Sequence, residues 1–287
     1  MINNFTIITS SKDQASNNMK NYLIKEENFE KINNNGKNHN NINMDYEFFN
    51  SSIHPKITLI ITKRNLVEID NIDSILPKYN MIIFLSKHAS KSKTPTLTSH
   101  STGNFSEGNL LGGKPYEIGN TFPSFQKQYM KRLYDKKEEL LNYNLAIEAT
   151  HHGPTSSTNP ILFVEIGSTE IQWNDKLAAS IVCKCVLDTV KDIKKKVSSN
   201  NINIGIGIGG NHYPQKFNNL ILFSNVAFGS IISKYNLSYI NEKTIEQMKI
   251  KSVQKIDHIY IDKKGLGKEK EKVLDLLKDQ EIERISI

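Results

Sequence analysis

Five of the eight histidines in this 287-residue chain lie where an imidazole ring can take part in chemistry. Imidazole can ligate zinc, transfer protons near neutral pH or contact phosphate. These histidines end apolar runs or lie in polar loops, and ligands of open α/β sheets bind beyond the carboxyl ends of strands. We therefore expect their side chains to meet at one edge of a sheet. The five are His88, His100, His151, His152 and His212.

A single histidine in such a position is more often a hydrogen-bonded structural residue than a functional one. Five histidines placed alike favour a functional centre over five unrelated structural roles. The other three histidines lie in ordinary contexts, and we expect them to be structural. They are His39, His54 and His258.

The segment 145–158 places two adjacent histidines between two predicted strands. Residues 145–149 alternate in the manner of a strand that buries a face, and an apolar run follows at 161–167. Two carboxylates, Glu148 and Glu165, lie close to the histidine pair in sequence. Each is a candidate general base, a candidate metal ligand or a partner of a lysine. The sequence alone leaves these three roles open.

Four hydroxyl residues follow the histidine pair at 155–158, and Thr155 is the first of them. One of them could be a nucleophile, but the Gly-x-Ser-x-Gly pattern of a nucleophile elbow is absent. We expect capping and turn formation for most of these hydroxyls.

The glycines at 205–210 formally match the spacing of a dinucleotide-binding loop. Pro214 is expected to block the helix that such a loop requires, and no acidic residue follows about twenty positions on. Close approach of the backbone to a substrate is the better explanation for Gly209 and Gly210.

Strand and helix patterns alternate along the chain, which predicts an α/β fold with a mixed, largely parallel sheet flanked by helices. We expect one domain over 1–287, with an Asn-rich low-complexity insertion near 31–45. Residues 89–107 are predicted as a long polar loop and residues 122–143 as a helix. A further helix is expected around Phe228, Ile231 and Ile232, and Trp173 is expected to serve in packing.

The net charge of +7 and the pI of about 9.1 favour a polyanionic partner, although a solvated lysine-rich face gives the same totals. Cys183 and Cys185 are two positions apart in a helical pattern, so we expect free thiols and a reducing compartment. The first nine residues lack the pattern of a signal peptide, and no window has the length of a membrane span. A cytoplasmic protein is the expected class.

Five blocks of sequence, taken together, resemble the archaeal and plant type of D-aminoacyl-tRNA deacylases. The two most specific are His-His-Gly-Pro-Thr at 151–155 and Gly-Gly-x-His-Tyr at 209–213. The other three are Ser-Lys-His at 86–88, Leu-Thr-x-His at 97–100 and Glu-Ile-Gly-Ser-x-Glu-x-x-Trp at 165–173. The early Ser-x-Lys-Asp-x-Ala-Ser at 10–16 and the late Lys-Gly-Leu at 264–266 also resemble that family, so the resemblance spans nearly the whole chain.

Three features depart from that family pattern. Lys87 stands where arginine is expected, Gln14 stands where proline is expected, and the segment 31–43 looks inserted. The first two departures are expected to weaken phosphate contacts or to reduce the rigidity of a loop. The insertion is expected to have no effect on function.

The resemblance implies hydrolysis of the ester that joins a D-amino acid to the 3′ ribose of tRNA, a proofreading and recycling step in translation. It also implies two zinc ions per subunit, a monomeric protein, and a core related to bacterial peptidyl-tRNA hydrolase. The tRNA substrate agrees with the basic charge, and zinc agrees with the clustered imidazoles.

The residues fall into three sets of expected roles under this hypothesis. The zinc ligands are expected among His88, His100, His151, His152 and Glu165. The catalytic residues are expected to be His151, His152, Thr155, Glu148 and His212, with Thr155 or the amides of Gly209 and Gly210 stabilising the oxyanion. The substrate-binding residues are expected to be His88, Thr98, His100, Gly209, Gly210, Tyr213 and Lys216, with Lys216 at the acceptor-stem phosphates.

Three alternatives remain open from sequence. A peptidyl-tRNA hydrolase could use histidine as a base without metal, and a chelator distinguishes the two. A non-catalytic RNA-binding protein would account for the charge but not for the clustered histidines. A small-molecule metallohydrolase would not depend on the body of tRNA.

Overall fold

A computed structural model describes residues 2–32, 45–199, 201–278 and 283–287. The expected Asn-rich insertion falls for the most part at residues 33–44, which lie outside the described residues. Two sheets and seven α-helices make up the described part of the chain, joined by short 3₁₀ turns.

The first sheet has eight strands and is mixed but largely parallel, as the sequence predicts. Four neighbouring strands, β4, β1, β5 and β8, run parallel to one another, whereas β6 is antiparallel to β8 and parallel to β7. The spatial order is β2-β3-β4-β1-β5-β8-β6-β7. The strands are β1 (Asn4–Ser10), β2 (Glu30–Lys31), β3 (Tyr46–Asn50), β4 (Ile57–Thr62), β5 (Asn80–Ala89), β6 (Thr96–His100), β7 (Asn144–Ile147) and β8 (Ile161–Ser168).

The second sheet has four parallel strands in the order β10-β9-β11-β12. Its strands are β9 (Asn203–Ile208), β10 (Val226–Ile232), β11 (His258–Ile261) and β12 (Glu283–Ser286). The helices are α1 (Gln14–Glu26), α2 (Pro123–Asp135), α3 (Glu170–Trp173), α4 (Lys176–Ser199), α5 (Gln215–Phe223), α6 (Glu242–Ile250) and α7 (Lys270–Leu276).

Side-chain caps fix where several of these helices begin. Asp13 precedes α1 and accepts a hydrogen bond from the Ser16 amide at 2.8 Å. Asp175 accepts from the Ala178 amide at 3.0 Å at the start of α4, as the Asn-Asp pair in the sequence predicts. Such caps satisfy amide groups that the first helical turn leaves without a partner.

Helices α1, α2 and α4 cover one face of the first sheet and bury the largest apolar cluster, which includes Met19, Phe125 and Val182. The opposite face carries a smaller cluster, in which Phe84 and Phe163 stack with ring centroids 4.7 Å apart. The second sheet has its own apolar cluster between its strands and α6 and α7.

The two sheets meet along a seam beside β7 and β10. The amide of Ala149 donates to the His212 carbonyl at 2.8 Å, and the amide of Thr150 donates to the Ile231 carbonyl at 2.9 Å. The Thr150 hydroxyl accepts a hydrogen bond from the Ile231 amide at 2.9 Å. The segment that follows β7 therefore binds both sheets.

A buried lysine strengthens the same seam. Lys127 of α2 is 2% exposed, and its ammonium donates to the carbonyls of Ile221, Ser224 and Val226 at 2.7–3.0 Å. Three carbonyl acceptors replace the water that a buried ammonium loses. The ion ties a helix of the first sheet to the α5–β10 turn of the second.

Three sequence predictions about elements are wrong. The predicted loop 89–107 contains strand β6, whose alternating threonines lack the apolar signal of a buried strand. The predicted helix around Phe228 is strand β10, because a short apolar run does not distinguish helix from strand. The predicted helix 122–143 ends at Asp135 and continues only as a 3₁₀ turn.

Cys183 and Cys185 are both free and buried, as expected. Pro214 does not prevent a helix. It is the N-cap of α5, which begins at Gln215, and at the start of a helix the missing amide hydrogen of a proline costs nothing. Among the described residues, no helix is long and apolar enough to cross a membrane.

Candidate active site

Glu165 lies in the middle of β8 and is buried at the centre of a polar patch on one face of the first sheet. Its register neighbours are Ser86 on β5 and Thr98 on β6. Two residues further along its own strand, His88 pairs with Gly167 of β8, and His100 pairs with Phe163 of β8. Side chains in register on adjacent strands share a face, so the polar groups converge on Glu165.

The expectation of one shared carboxyl edge is wrong. Strands β5 and β6 run in opposite directions because β6 is antiparallel to β8. His88 and His100 therefore lie on opposite sides of Glu165 along the strand direction. The centre forms on a face of the sheet, around the middle of β8, and not beyond its edge.

Glu165 is hydrogen-bonded by two residues of β5 and lies close to a third side chain on β6. The Ser86 hydroxyl donates to Oε1 at 2.7 Å, and His88 Nδ1 lies 3.2 Å from Oε2. His100 Nε2 lies 3.7 Å from Oε1, which is beyond hydrogen-bond distance. The carboxylate thus links β5 and β6 through side chains on either side of it.

Two neighbours hold the His88 ring in place. A Cβ atom on Gly167 would lie 2.7 Å from the Cβ of His88, so the glycine provides the room for this ring. The Trp173 indole donates to the His88 carbonyl at 2.9 Å. Trp173 therefore does more than the packing expected from sequence, because it fixes the backbone of a site residue.

Glu148 follows β7 and supplies a second buried carboxylate, which is 2% exposed. His212 Nε2 lies 2.6 Å from its Oε2, and His151 Nε2 lies 3.8 Å from the same oxygen. Its other oxygen, Oε1, lies 3.4 Å from His88 Nδ1. Glu148 thus brings together histidines from β5, from the loop after β7 and from the loop after β9.

Three imidazoles are held by backbone carbonyls in the same way. His100 Nδ1 lies 3.1 Å from the Ser101 carbonyl, His151 Nδ1 lies 2.8 Å from the Ala149 carbonyl, and His152 Nδ1 lies 2.7 Å from the Gly153 carbonyl. A carbonyl accepts only, so each Nδ1 carries the proton and each Nε2 of the neutral ring keeps its lone pair. The three rings pack against one another, with centroids 4.0–4.7 Å apart.

His152 has a φ of 43°, a left-handed conformation that non-glycine residues rarely adopt. Strained backbone of this kind is concentrated at functional sites, where the surrounding structure enforces it. The conformation turns the ring toward His100 and Phe163, whose centroids lie 4.7 Å from that of His152.

The pKa values divide the centre into ionised carboxylates and neutral imidazoles. Burial opposes ionisation of Glu148, but the hydrogen bond from His212 and the nearby imidazoles hold its pKa at about 2. Burial likewise opposes ionisation of Glu165, but the nearby imidazoles of His100 and His88 outweigh the effect of burial and lower the pKa of Glu165. Burial and the adjacent His100 lower the pKa of His152 to about 4, and they lower the pKa of His151 as well.

His88 and His100 shift in the opposite direction. Burial opposes their protonation, yet the carboxylates of Glu165 and Glu148 raise the pKa of both rings. Burial, followed by the charge of Glu148, raises the pKa of Tyr213 to about 12. The Tyr213 hydroxyl, which contacts His88 Nε2, therefore stays a neutral phenol at physiological pH.

The residues present fit a metal ion. Histidine nitrogens and carboxylate oxygens are the ligands that zinc takes in catalytic sites. His100 Nε2 and Glu148 Oε1 are buried and make no hydrogen bond within the described part of the chain. Three groups of potential ligand atoms lie within 4.8 Å of one another: His100 with His151 and His152, Glu148 with His151 and His212, and His88 with Glu148 and Glu165.

A cavity of about 310 Å³ opens beside this centre. Its inner wall includes Glu165, His152 and Phe163, and its apolar rim includes Leu66 and Leu111. The cavity is wide enough for a small polar group together with an apolar side chain, with the carboxylate centre at its base.

The structure places four of the predicted site residues in other networks. The Thr155 hydroxyl donates to Glu117 Oε2 at 2.7 Å, and Lys216 Nζ donates to Asp262 Oδ1 at 2.8 Å. The amides of Gly209 and Gly210 donate to the carbonyls of Ile232 and Gly265, at 2.9 and 3.2 Å. These amides and hydroxyls are engaged within the protein. Thr98 is buried at the centre, and its hydroxyl makes no hydrogen bond in the described residues.

Sequence reasoning missed the acidic residues that hold the loop after the histidine pair. Asp70 accepts from the Thr155 amide at 2.9 Å and from the Gly113 amide at 3.2 Å. Glu117 accepts from both Thr155 and Ser156. Asp70 and Glu117 are distant in sequence from the loop, and no local pattern marks them as its partners.

The fold and the centre together define an α/β protein with a buried histidine–glutamate site beside a surface cavity, an arrangement suited to hydrolysis. The model of the D-aminoacyl-tRNA deacylase family matches residues 75–285. The chain therefore belongs to the D-aminoacyl-tRNA deacylase family, whose members are ester hydrolases.

Individual relatives agree with this assignment. A D-aminoacyl-tRNA deacylase of Methanosarcina barkeri is 33% identical, with 96% of this chain and 90% of the relative covered. One of Cenarchaeum symbiosum is 36% identical, with 73% of this chain and 78% of the relative covered. A crystal structure of a conserved protein of unknown function superposes with a TM-score of 0.84 at 27% identity, with 99% and 95% of the two chains covered.

Proposed function

We propose that this protein hydrolyses the ester bond of D-aminoacyl-tRNA and releases the free D-amino acid and tRNA. The observation that carries the proposal is the set of histidines around two ionised, buried glutamates at the base of a surface cavity, in a chain of the deacylase family. Because tRNA is the substrate, the protein acts in the cytoplasm, in the quality control of translation.

Glu148 and His212 form the proton-transfer pair. The ionised carboxylate accepts from His212 Nε2 at 2.6 Å, so Nδ1 of the neutral ring keeps its lone pair. The His212 side chain is 39% exposed, so the ring is accessible to water. Nδ1 takes a proton from water as the water oxygen attacks the ester carbonyl, and it returns a proton to the departing ribose oxygen.

Tyr213 and His88 stabilise the charge that develops on the carbonyl oxygen. The phenol stays protonated because its pKa is raised to about 12, so it can donate a hydrogen bond throughout the reaction. His88 is protonated in this step, as its raised pKa favours, so Nδ1–H donates to Glu165 and Glu148 and Nε2–H donates to the phenol oxygen. The phenol proton is then left for the carbonyl oxygen. Thr155, Gly209 and Gly210 act as positioning residues, since their donor groups bind the protein itself.

The proposal includes zinc, and up to two ions, at this centre. The unprotonated Nε2 atoms of His100, His151 and His152 would hold one ion. Glu148 and Glu165, with His88 in its neutral form, would hold a second. The protonated His88 ring and this second ion are therefore alternative means of stabilising the developing charge. When bound, zinc lowers the pKa of a coordinated water to about 7 and polarises an ester carbonyl. The low pKa values of His151 and His152 keep both rings in the neutral form that a metal requires.

We further propose that residues 1–287 form one functional domain that acts as a monomer. The centre draws Glu165 from the first sheet and His212 from the loop after β9 of the second, so neither sheet carries a complete site. A relation of the core to bacterial peptidyl-tRNA hydrolase stays a prediction.

Release of tyrosine from D-tyrosyl-tRNA and from L-tyrosyl-tRNA, each with and without a zinc chelator, tests the function. We expect release from the D-ester alone, lost with the chelator and restored by zinc. Selective release that ignores the chelator would retain the function and remove the metal. Equal release of both enantiomers, or of neither, would overturn the proposed substrate. The Glu148→Gln variant is the control for contaminating esterases.

A further inference from the structure

Two further cavities continue from the active-site cavity along the surface of α1. One has a volume of about 460 Å³ and shares Lys12 with the active-site cavity. The next has a volume of about 380 Å³ and shares Asn18, Asn21 and Lys176 with the second cavity. Because neighbouring cavities share wall residues, the three lie side by side along α1, and the active-site cavity at one end contains Glu165 and His152.

The lining of the two cavities outside the active site, which we call the α1 groove, consists almost entirely of amides and ammonium groups. Its other members include one aromatic ring, Tyr22, and one carboxylate, Glu26, at the end distant from the active site. The α1 groove is lined by Ser11, Lys12, Gln14, Asn17, Asn18, Asn21, Tyr22, Lys25, Glu26, Asn174 and Lys176.

The lysines of the α1 groove form no ion pair with a carboxylate of the described residues. They are Lys12, Lys25 and Lys176, and all three are exposed. Elsewhere on the surface, Lys136 pairs with Glu139 at 2.7 Å and Lys216 pairs with Asp262 at 2.8 Å. Unpaired ammonium groups in a groove are available to an external polyanion.

We propose that the α1 groove binds the backbone of the tRNA acceptor arm and guides its 3′ end into the active-site cavity. The inference rests on the proposed function, since it identifies where the same substrate lies. Ammonium groups neutralise phosphates, and side-chain amides hydrogen-bond to phosphate and ribose oxygens. A groove that leads away from the catalytic centre is what a polymer with its reactive ester at one end requires. An acidic peptide would find the same charges, but its end would not need to reach Glu165.

Lys216 does not fit this role. Its ammonium is held by Asp262 and by the carbonyl of Ile287, both at 2.8 Å, so a phosphate would have to displace both partners. We therefore assign the acceptor-arm contacts to Lys25 and Lys176 of the α1 groove. No local sequence pattern marks these two lysines, because they become neighbours only when α1 packs against α4.

The test compares the double variant Lys25→Glu with Lys176→Glu against a matched double variant, Lys243→Glu with Lys268→Glu. All four lysines are exposed, and the control pair lies on α6 and on the 3₁₀ turn before α7, so the change of net charge is equal. Binding of uncharged tRNA is measured by fluorescence anisotropy over a range of salt concentrations. Hydrolysis is measured on D-tyrosyl-tRNA and on the D-tyrosyl ester of adenosine.

The groove variant is expected to bind uncharged tRNA about tenfold more weakly than the control variant, with a salt slope reduced by about 2. Its kcat/KM on D-tyrosyl-tRNA should fall by a similar factor, whereas its kcat/KM on the adenosine ester should stay within about twofold of the unaltered protein. Equal loss of tRNA affinity in both variants would overturn the groove. So would equal loss on both substrates.

The binding measurement keeps this inference separate from the proposed function. If the unaltered protein hydrolyses neither substrate, the deacylase proposal fails, while a selective loss of tRNA binding in the groove variant still supports the groove. If the unaltered protein hydrolyses D-tyrosyl-tRNA and the groove variant binds tRNA as the control does, the groove fails and the function stands.

Discussion

The face of the first sheet around Glu165 and the interior of the second sheet bury opposite kinds of side chain. Around Glu165, buried strand positions carry hydroxyls, imidazoles and a carboxylate, including Ser86 and His100. In the second sheet, buried positions of β9 and β11 carry aliphatic side chains, including Ile206 and Ile259, both 0% exposed. Buried polar and charged groups cost free energy unless they are fully paired, whereas buried aliphatic groups stabilise.

We therefore expect the two regions to contribute differently. Under the proposed function the polar face carries the chemistry, and the second sheet contributes to stability mainly through apolar burial and holds the loop that carries His212. Substitutions in the two regions should differ in their effect on activity. Four predictions follow from this difference.

The largest effect is expected for Glu165→Gln, which keeps the shape and removes the charge. Ser86 and His88 lose their anionic acceptor, so kcat/KM on D-aminoacyl-tRNA should fall by about 10³-fold. The free energy of unfolding of the metal-free protein should fall as well, because the lowered pKa of Glu165 means that its ionised form stabilises the folded state. Steady-state kinetics and urea unfolding measure the two quantities. Activity within tenfold of the unaltered protein would place the chemistry elsewhere.

Ile206→Ala should lower stability and spare activity. The side chain is fully buried, so its truncation should cost about 2–5 kcal/mol in the free energy of unfolding. Activity per folded molecule should stay within about twofold, since no atom of the centre is touched. The control is Ile250→Ala, because Ile250 is 61% exposed and its loss should cost less than about 0.5 kcal/mol. Equal costs for the two variants would contradict the assignment of stability to this core.

The pH dependence of stability in the metal-free protein should also come from the polar face. The pKa of His152 is lowered from 6.5 to about 4, so between these values the unfolded chain binds more protons than the folded one. Stability should therefore fall as pH decreases through this window, by on the order of 3 kcal/mol for a shift of this size. His88 and His100, whose pKa values are raised, act in the opposite direction, because the folded state binds more protons than the unfolded chain above the unfolded value of 6.5. Well below 6.5 both rings are protonated in both states and add no further slope.

Urea unfolding at pH 7 and pH 5 with chelator present measures this slope, and the matched variant is His152→Asn. The pKa of His151 is lowered as well, so the variant should retain part of the slope and lose the share that His152 contributes. An unchanged slope in the variant would show that the pH dependence has another source.

The smallest effect is expected for Gly167→Ala, which adds a Cβ 2.7 Å from the Cβ of His88. Movement of the His88 ring should lower kcat by about tenfold, because misplacement by a fraction of an ångström weakens a positioned donor. The matched control is Gly108→Ala, where the nearest neighbour of the new Cβ is the Ser106 hydroxyl at 3.7 Å. Comparable kinetics for the two variants would mean that the His88 position is not critical.

The sequence predicts the fold class and the members of the centre better than it predicts their arrangement. The alternation at 145–149 and the apolar run at 161–167 are local signals, and the strands that they predict are present as β7 and β8. Strand β6 was missed because its inward residues, Thr98 and His100, are polar. Polar residues on a buried strand are typical of a functional site, but their pattern in a single sequence predicts a loop.

The geometry of the centre depends on strand order and direction, which no local pattern contains. The antiparallel placement of β6 beside β8 moves the site from the edge of the sheet to its face. The partners of Thr155, namely Asp70 and Glu117, lie on loops that only the complete fold brings together. Long-range contacts of this kind explain why the histidines were identified and their supporting residues were not.

The seam between the sheets makes the centre sensitive to motions that leave each sheet intact. The amides of Ala149 and Thr150 are bonded to the carbonyls of His212 and Ile231, and Glu148, next to them in the chain, bonds the His212 ring. A brief local opening along this seam would break the pair of Glu148 and His212 without unfolding either core. The rate of deuterium exchange at these two amides therefore reports how often the seam opens and the hydrogen bond between Glu148 and His212 is broken.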